Sequence, residues 1–246
     1  MTICIIQARM GSTRLPGKIM KDLAGKPILW HVINRVAMAK NVDKIVVATT
    51  ANPEDNIVEN FCINNNFLFY RGSADDVLGR YYEAARIFGG DIIVRVTADC
   101  PLVDPNIIDL NIKTFKKIKC DYISDVPPGD QPSFRNQDVE VISFYALKTA
   151  FKNATNNLER EHVTPYIWHN KHKEFIIGPF VVVDSKYNRD YRLVVDYPED
   201  FELLEKIYKK FYNNQQIVDI LEVYNFLDNN SEWLLINKHC KQKSLI

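Results

Sequence analysis

The sequence predicts a single α/β domain, a mostly parallel sheet sandwiched by helices, carrying a C-terminal helical appendage. Three observations lead there. Short β-branched runs alternate with amphipathic stretches along most of the chain. Several of these runs are apolar on both faces, as strands covered by helices on two sides must be. A chain of 246 residues, 46% of them hydrophobic, can build one substantial core without disulfide or metal support.

Taken in order, residues 2–7, 44–49, 67–71 and 91–97 read as strands. Between them, residues 27–40 set Ile28, Leu29, Val32, Ile33 and Val36 on one helical face behind an early proline, and 53–65, 75–88 and 105–118 repeat the pattern. Residues 125–136 break the rhythm with prolines and polar residues, which predicts an irregular surface segment bordering the active site. A strand over 138–144, a helix over 159–169, strands over 175–184 and 191–195 and a closing helix over 198–212 follow. An Asn-rich stretch then leads to an amphipathic helix over 217–227. The expected division is a main domain of residues 1–212 and a helical extension of 213–246. The apolar face of that extension suits either a homodimer contact or packing on the core.

Charge narrows the partners. Lys plus Arg total 31 and Asp plus Glu total 31, so no long-range positive field marks nucleic acid or an anionic membrane as a partner. Phosphate chemistry, if present, must use local basic clusters. Cys4, Cys62, Cys100, Cys120 and Cys240 are scattered singly, without zinc-site pairing or a disulfide framework, which suits reduced thiols in a cytoplasmic protein. No signal-peptide core follows Met1, and no apolar run approaches membrane-span length.

The most informative segment joins the first strand to the first helix: Gln7-Ala8-Arg9-Met10-Gly11-Ser12-Thr13-Arg14-Leu15-Pro16-Gly17-Lys18. Open α/β sheets bind ligands at the carboxyl ends of their strands, where this loop falls. Small residues such as Ala8 and Gly11 let the backbone approach a phosphate chain. Ser12 and Thr13 add hydroxyls, and Arg9, Arg14 and Lys18 supply three cations against triphosphate charge. A Walker A motif is excluded, because the spacing from Gly11 to Gly17-Lys18 is one residue too long and Ile19 stands where Ser or Thr would hold magnesium. A Rossmann fingerprint is absent too.

This loop resembles the signature of the CMP-KDO synthetase and acylneuraminate cytidylyltransferase superfamily, most nearly its SpsF-like branch of spore-coat polysaccharide biosynthesis. The resemblance extends from residue 1 to about residue 212 and implies a nucleotide-diphospho-sugar transferase-like fold. It also implies an enzyme that transfers CMP from CTP to an acidic sugar or related small acceptor and releases pyrophosphate. Arg9, Arg14 and Lys18 would then contact the phosphates.

Two carboxylates end strands. Asp99 follows residues 91–97 and precedes Pro101, and Asp196 closes Arg192-Leu193-Val194-Val195-Asp196 before a Pro-initiated helix. Each alone reads as either a helix cap or a Mg²⁺ ligand. In the superfamily the matching pair shares magnesium, so the resemblance implies metal roles for Asp99 and Asp196, leaving Glu199 and Asp200 to the helix dipole. Asp75-Asp76-Val77-Leu78-Gly79-Arg80 after Arg71 resembles the segment beside the nucleotide. Arg71, Asp76 and Arg80 are therefore candidate contacts, with surface salt bridges as the competing use. Thr97 and Ala98 match positions that meet the nucleotide mainly through backbone.

The acceptor side rests on Asp138-Val139-Glu140-Val141 and on Glu159-Arg160-Glu161-His162, both similar to SpsF-like segments. Asp138, Glu140, Glu161 and His162 are expected to line the acceptor pocket, and Arg192 or Arg160 to pair with an acceptor carboxylate or phosphate. For His162 a packed, hydrogen-bonded histidine competes evenly. Arg135-Asn136-Gln137 stands where SpsF-like chains carry a Gly-containing turn. Two rivals accompany the cytidylyltransferase reading. A GT-A-like glycosyltransferase would use the same sheet edge but would bring an Asp-x-Asp motif, which is missing. A non-catalytic nucleotide-binding protein shares every binding feature.

Overall fold

The computed structural model describes residues 1–125, 138–181, 184–213 and 216–241. Its central sheet has six strands: β1 (Thr2–Gln7), β4 (Lys44–Thr50), β5 (Leu68–Gly72), β6 (Ile92–Thr97), β7 (Tyr122–Ser124) and β8 (Glu140–Ser143), in the order β5-β4-β1-β6-β8-β7. A separate short hairpin pairs β2 (Asp22–Leu23) with β3 (Lys26–Pro27). β1 runs parallel to β4 and β6, and β4 parallel to β5, whereas β8 is antiparallel to β6 and β7. The sheet is thus parallel at its centre, as the α/β pattern predicts, and mixed at one edge.

Alternation along the buried strands builds a core on each face. Ile3 and Ile5 of β1 join Val46, Tyr81 and Ile93, while Cys4 and Ile6 join Leu29, Val32 and Val94 on the other side. Helices cover both layers. α1 (Ile28–Ala37), α4 (Pro105–Ile118), α8 (Pro198–Phe211) and α9 (Ile220–Asn229) pack on the second cluster. α3 (Val77–Phe88) and α5 (Phe144–Asn153) pack on the first, and α2 (Asn56–Asn64) flanks β5 through Val58 and Cys62. Local signals set the ends. Asp104 caps α4 by accepting from the Asn106 amide at 2.7 Å, and Asp76 caps α3 by accepting from the Gly79 amide at 2.9 Å. Gly89 ends α3 at φ 77°, a conformation that favours glycine.

Three expectations need correction. The helix expected over 159–169 is two short helices, α6 (Asn157–His162) and α7 (Pro165–His169), because the Pro165 ring cannot continue a helix. The break is a γ-turn: Thr164 donates to the His162 carbonyl at 2.8 Å, and Val163, fully buried, sits at φ 71° and ψ −52°. Of the strand expected over 175–184, the described residues lie beside β7 with one parallel bridge, Tyr122 to Ile177; Gly178 and Val181 donate to the Tyr122 and Ser124 carbonyls at 2.8 and 3.0 Å, three residues apart where a regular ladder would space them by two. Residues 191–195 are largely buried but form no strand; Val195 donates instead to the Asp99 carbonyl at 2.9 Å. The irregular segment expected at 126–136 lies outside the described residues.

Beyond α8 the chain returns to the main core. Val218, Ile220, Val223, Tyr224 and Leu227 are buried in the same cluster as α1 and α8. Arg35, 2% exposed, donates to the carbonyls of Val103 at 2.6 Å, Val218 at 2.5 Å and Leu102 at 3.3 Å. Arg35→Ala leaves those carbonyls without a donor and should destabilise the fold by about 3 kcal/mol, roughly 6–12 °C in melting midpoint. Thermal unfolding followed by circular dichroism checks this, and a shift below about 2 °C would show that the guanidinium carries none of the tie. Among the described residues, no helix is long and apolar enough to cross a membrane.

Candidate active site

The site follows from strand register. Gln7 at the end of β1 pairs with Thr97 at the end of β6, so the basic loop and Asp99 emerge side by side from the parallel part of the sheet. The loop is then folded onto the Met10 carbonyl, which accepts from Ser12 at 2.8 Å and Gly17 at 3.1 Å. Gly17 adopts φ 66°, a left-handed conformation that favours glycine, whereas a Cβ on Gly11 would meet only the tip of the exposed Glu54 side chain at 2.9 Å. Leu15 and Ile19 anchor the loop in the core, and buried Asp55 accepts from the Met10 amide at 2.6 Å.

That geometry drives Lys18 between the two carboxylates. Its Nζ donates to Asp99 Oδ2 at 2.7 Å, Asp196 Oδ1 at 2.9 Å and the Val195 carbonyl at 2.7 Å. Burial alone would lower the Lys18 pKa, but Asp99 and Asp196 outweigh it and raise it. Burial likewise opposes ionisation of Asp99, yet the Lys18 ammonium and the Thr97 hydroxyl, 2.5 Å from Asp99 Oδ1, hold its carboxyl below the ordinary value. Arg14 pairs with Asp196 Oδ1 at 3.0 Å and lies 4.7 Å above the Tyr197 ring. Tyr197 escaped the sequence reading, although its place between Asp196 and Pro198 puts it beside the site.

Asp196 rests on a buried platform. Arg192 donates from Nη2 to Asp196 Oδ2 at 3.0 Å and forks onto Asp200 at 2.8 and 2.9 Å. Asp200 also accepts from the amides of Asp196 and Tyr197 at 3.1 and 3.0 Å, the helix-start role expected of it. Asn237 donates to Asp200 Oδ1 at 2.9 Å and to the Arg192 carbonyl at 2.8 Å. Arg192, expected at the acceptor, is 8% exposed and holds these carboxylates instead. No local motif marks Asn237, which reaches the site only through the tertiary fold.

Other candidates divide between open and occupied. Arg9 and Thr13 are exposed, and Arg9 makes no hydrogen bond or ion pair within the described residues. Ala8 and Ala98 are buried, with their amides spent on the Ala48 and Gln7 carbonyls at 3.1 and 3.0 Å; only their carbonyls are left to meet a ligand. Arg80 is 1% exposed and donates to the Ser73 carbonyl at 2.8 Å, yet its Nε and Nη2 find no acceptor within the described residues. Burial and the nearby Arg9 charge lower its pKa. Arg71 is not open: it donates to the carbonyls of Thr50 and Asn52 and to Asn56, each at 2.8 Å, and pairs with Glu59, fastening β5 to α2. Asp76 is the α3 cap and pairs with Arg160 at 3.4 Å.

On the acceptor side, Glu140 accepts from Arg95 at 2.5 Å, Tyr122 at 2.6 Å and Thr164 at 2.8 Å, which makes it a pin between β8, β6, β7 and α7 rather than an open ligand. Asp138 is half-buried with φ 43°. Burial, and then Asp99, Glu140 and Asp196 against the relief of Arg95, push its carboxyl up to about 6. Glu161 is exposed and His162 half-buried, both on the N-terminal side of the strained Val163.

A cationic loop over the carboxyl ends of parallel strands, facing two convergent carboxylates, is the arrangement of a nucleotidyltransferase. Comparison with known proteins agrees: the family model described as Cytidylyltransferase matches residues 3–222, and the chain belongs to that family. An uncharacterized protein of Methanocaldococcus jannaschii is 37% identical over 244 residues, 98% of this chain and 96% of that one. The spore coat polysaccharide biosynthesis protein SpsF of Bacillus subtilis is 33% identical over 215 residues, 84% of this chain and 85% of that one. A cytidylyltransferase structure from Leptospira borgpetersenii superposes with a TM-score of 0.82 at 31% identity, covering 95% of this chain and 96% of that one.

Proposed function

We propose that the chain transfers CMP from CTP to an acidic sugar or related small acceptor, with Mg²⁺, in the manner of the SpsF-like branch and in surface polysaccharide synthesis. The observation that carries this is the meeting of Asp99 and Asp196 on one cation, Lys18 Nζ, under a loop bearing Arg9 and Arg14. Two carboxylate oxygens within 3 Å of a single cationic point fit a hard oxygen-seeking ion. Bound by Asp99 and Asp196, magnesium would neutralise phosphate charge and polarise the attacking oxygen. The match to SpsF, a spore coat polysaccharide biosynthesis protein, supports the polysaccharide setting.

In the reaction, an acceptor oxygen attacks the α-phosphorus in line, the new P–O bond forms, and the bond to pyrophosphate breaks. Arg9, Arg14 and Lys18 bear on the triphosphate, where backbone groups near Gly11, Ser12 and Thr13 add donors. Lys18 must leave at least one carboxylate to do so, exchanging it for a phosphate oxygen. Arg192 and Thr97 keep Asp196 and Asp99 aimed throughout. Asp138, Glu161 and His162 face the acceptor in this reading.

The base is read by the Ala8 and Ala98 carbonyls together with Arg80 Nε and Nη2. CTP should therefore stabilise the protein against heat more than UTP, ATP or GTP, each misplaced polar group costing roughly 1 to 3 kcal/mol. Thermal shifts with the four nucleotides, and pyrophosphate release from CTP with a panel of acidic sugars, test the proposal. Equal shifts for all four nucleotides would remove the base specificity, and absence of pyrophosphate with every acceptor would remove the acceptor class.

A further inference from the structure

A second cluster of ligating side chains lies at the start of α8 and takes no part in the chemistry above. Glu199 in the first turn of α8, with His239 and Cys240 from the returning tail, place one ligand atom each within 4.8 Å of one another. His239 Nε2 is 3.3 Å from Glu199 Oε1, and Cys240 Sγ is 3.9 Å from Glu199 Oε2. As a bare ion pair the His239–Glu199 contact contributes little, because both side chains are well exposed.

Ligand identity separates this cluster from Asp99 and Asp196. Thiolate, imidazole and carboxylate together suit a borderline divalent ion such as Zn²⁺, whereas Mg²⁺ takes oxygen donors. Around a tetrahedral zinc, with bonds of about 2.0 to 2.3 Å, neighbouring ligand atoms sit roughly 3.3 to 3.8 Å apart. One ligand atom from each of the three residues already lies within 4.8 Å of the other two, and His239 sits at an exposed position where its ring has room to turn. We propose that Glu199, His239 and Cys240 form a zinc-type site with a fourth position open to water.

The consequence is mechanical. The site joins the tail to the helix three residues beyond Asp196. Between them Tyr197 donates to the Lys241 carbonyl at 3.3 Å and carries Arg14 over its ring. An ion there would fix the strut on which Arg14 leans, while touching neither the nucleotide nor the two catalytic-site carboxylates.

The test uses the full chain, reduced and stripped by chelator, titrated with Co²⁺ as a spectroscopic substitute for Zn²⁺. One equivalent should produce a saturable thiolate-to-cobalt charge-transfer band, displaced by Zn²⁺ and untouched by excess Mg²⁺. Cys240→Ser should abolish the band, and His239→Ala, a change at an exposed position, should weaken binding at least about tenfold. The proposal is overturned if no saturable band forms, if the band persists in Cys240→Ser and so comes from one of the other four thiols, or if His239→Ala binds as wild type does.

Discussion

Lys18→Ala should lower the rate of pyrophosphate release roughly a hundredfold to a thousandfold, the cost of losing one donor where charge develops in the transition state. The same change removes the ammonium shared by Asp99 and Asp196, so two carboxylates are left facing each other with Arg14 and Arg192 still on Asp196. That gives a second readout. Lys18 helps hold the Asp99 carboxyl below its ordinary value, so its stabilisation is present above the unfolded-state pKa and is lost as pH falls through the lower folded-state one. In the variant, Asp99 should protonate at higher pH, and acid unfolding should begin at higher pH. Millimolar Mg²⁺ should restore the melting midpoint without restoring the rate. Recovery of both by Mg²⁺ would reduce Lys18 to a structural counter-ion.

Asp99→Asn and Asp196→Asn should each cut magnesium-dependent turnover on the order of a hundredfold while leaving a folded chain. Asn keeps the size of Asp and its capping ability but carries no charge, so a purely structural cap predicts little change. The two sites differ in their surroundings. Asp99 would lose Lys18 and keep Thr97, whereas Asp196 would lose ion pairs to Lys18, Arg14 and Arg192, so Asp196→Asn should be the less stable. Because the pair would act on one ion, the double variant should be little worse than the poorer single. Rates measured against magnesium concentration decide: independent, multiplicative losses with unaltered magnesium dependence would dismiss a shared site.

Much of this is legible in the chain because local and tertiary signals agree. The strands before Gly11, Ala51, Ser73 and Ala98 are short apolar runs that end in turn residues, and helices such as Pro105–Ile118 begin at a cap and a proline. The loop is recognisable because its cations, glycines and position after β1 are all local properties. Side-chain burial is not local. Arg71, Glu140 and Arg192 look like exposed ligands in sequence and become internal ties only when distant carbonyls, hydroxyls and carboxylates meet them. The same holds in reverse for Asp55 and Asn237, ordinary polar residues that the fold makes central to the loop and to Asp200. Runs rich in β-branched residues at 175–184 and 191–195 have the composition of strands, but among the described residues the first makes a single bridge to the edge strand β7 and the second bonds through Val195 to the Asp99 carbonyl, so composition there overstates regular pairing.

The return of the tail bears on the order in which the molecule assembles. Arg35 and Val218 are 183 positions apart and Asp200 and Asn237 are 37 apart, yet both contacts close the same half of the protein. The loop entropy of the longer closure must be met before its contacts are gained, which slows folding. The β1–β4–β6 pairings lie within residues 2 to 97 and close shorter loops, so they are expected to form before the longer closure. Docking of α9 and the last turn then comes late, and with it the alignment of Asp196. Refolding should therefore show native-like circular dichroism before it shows pyrophosphate release, with the lag removed by substitutions that speed the docking of residues 218–237 and not by those within β1.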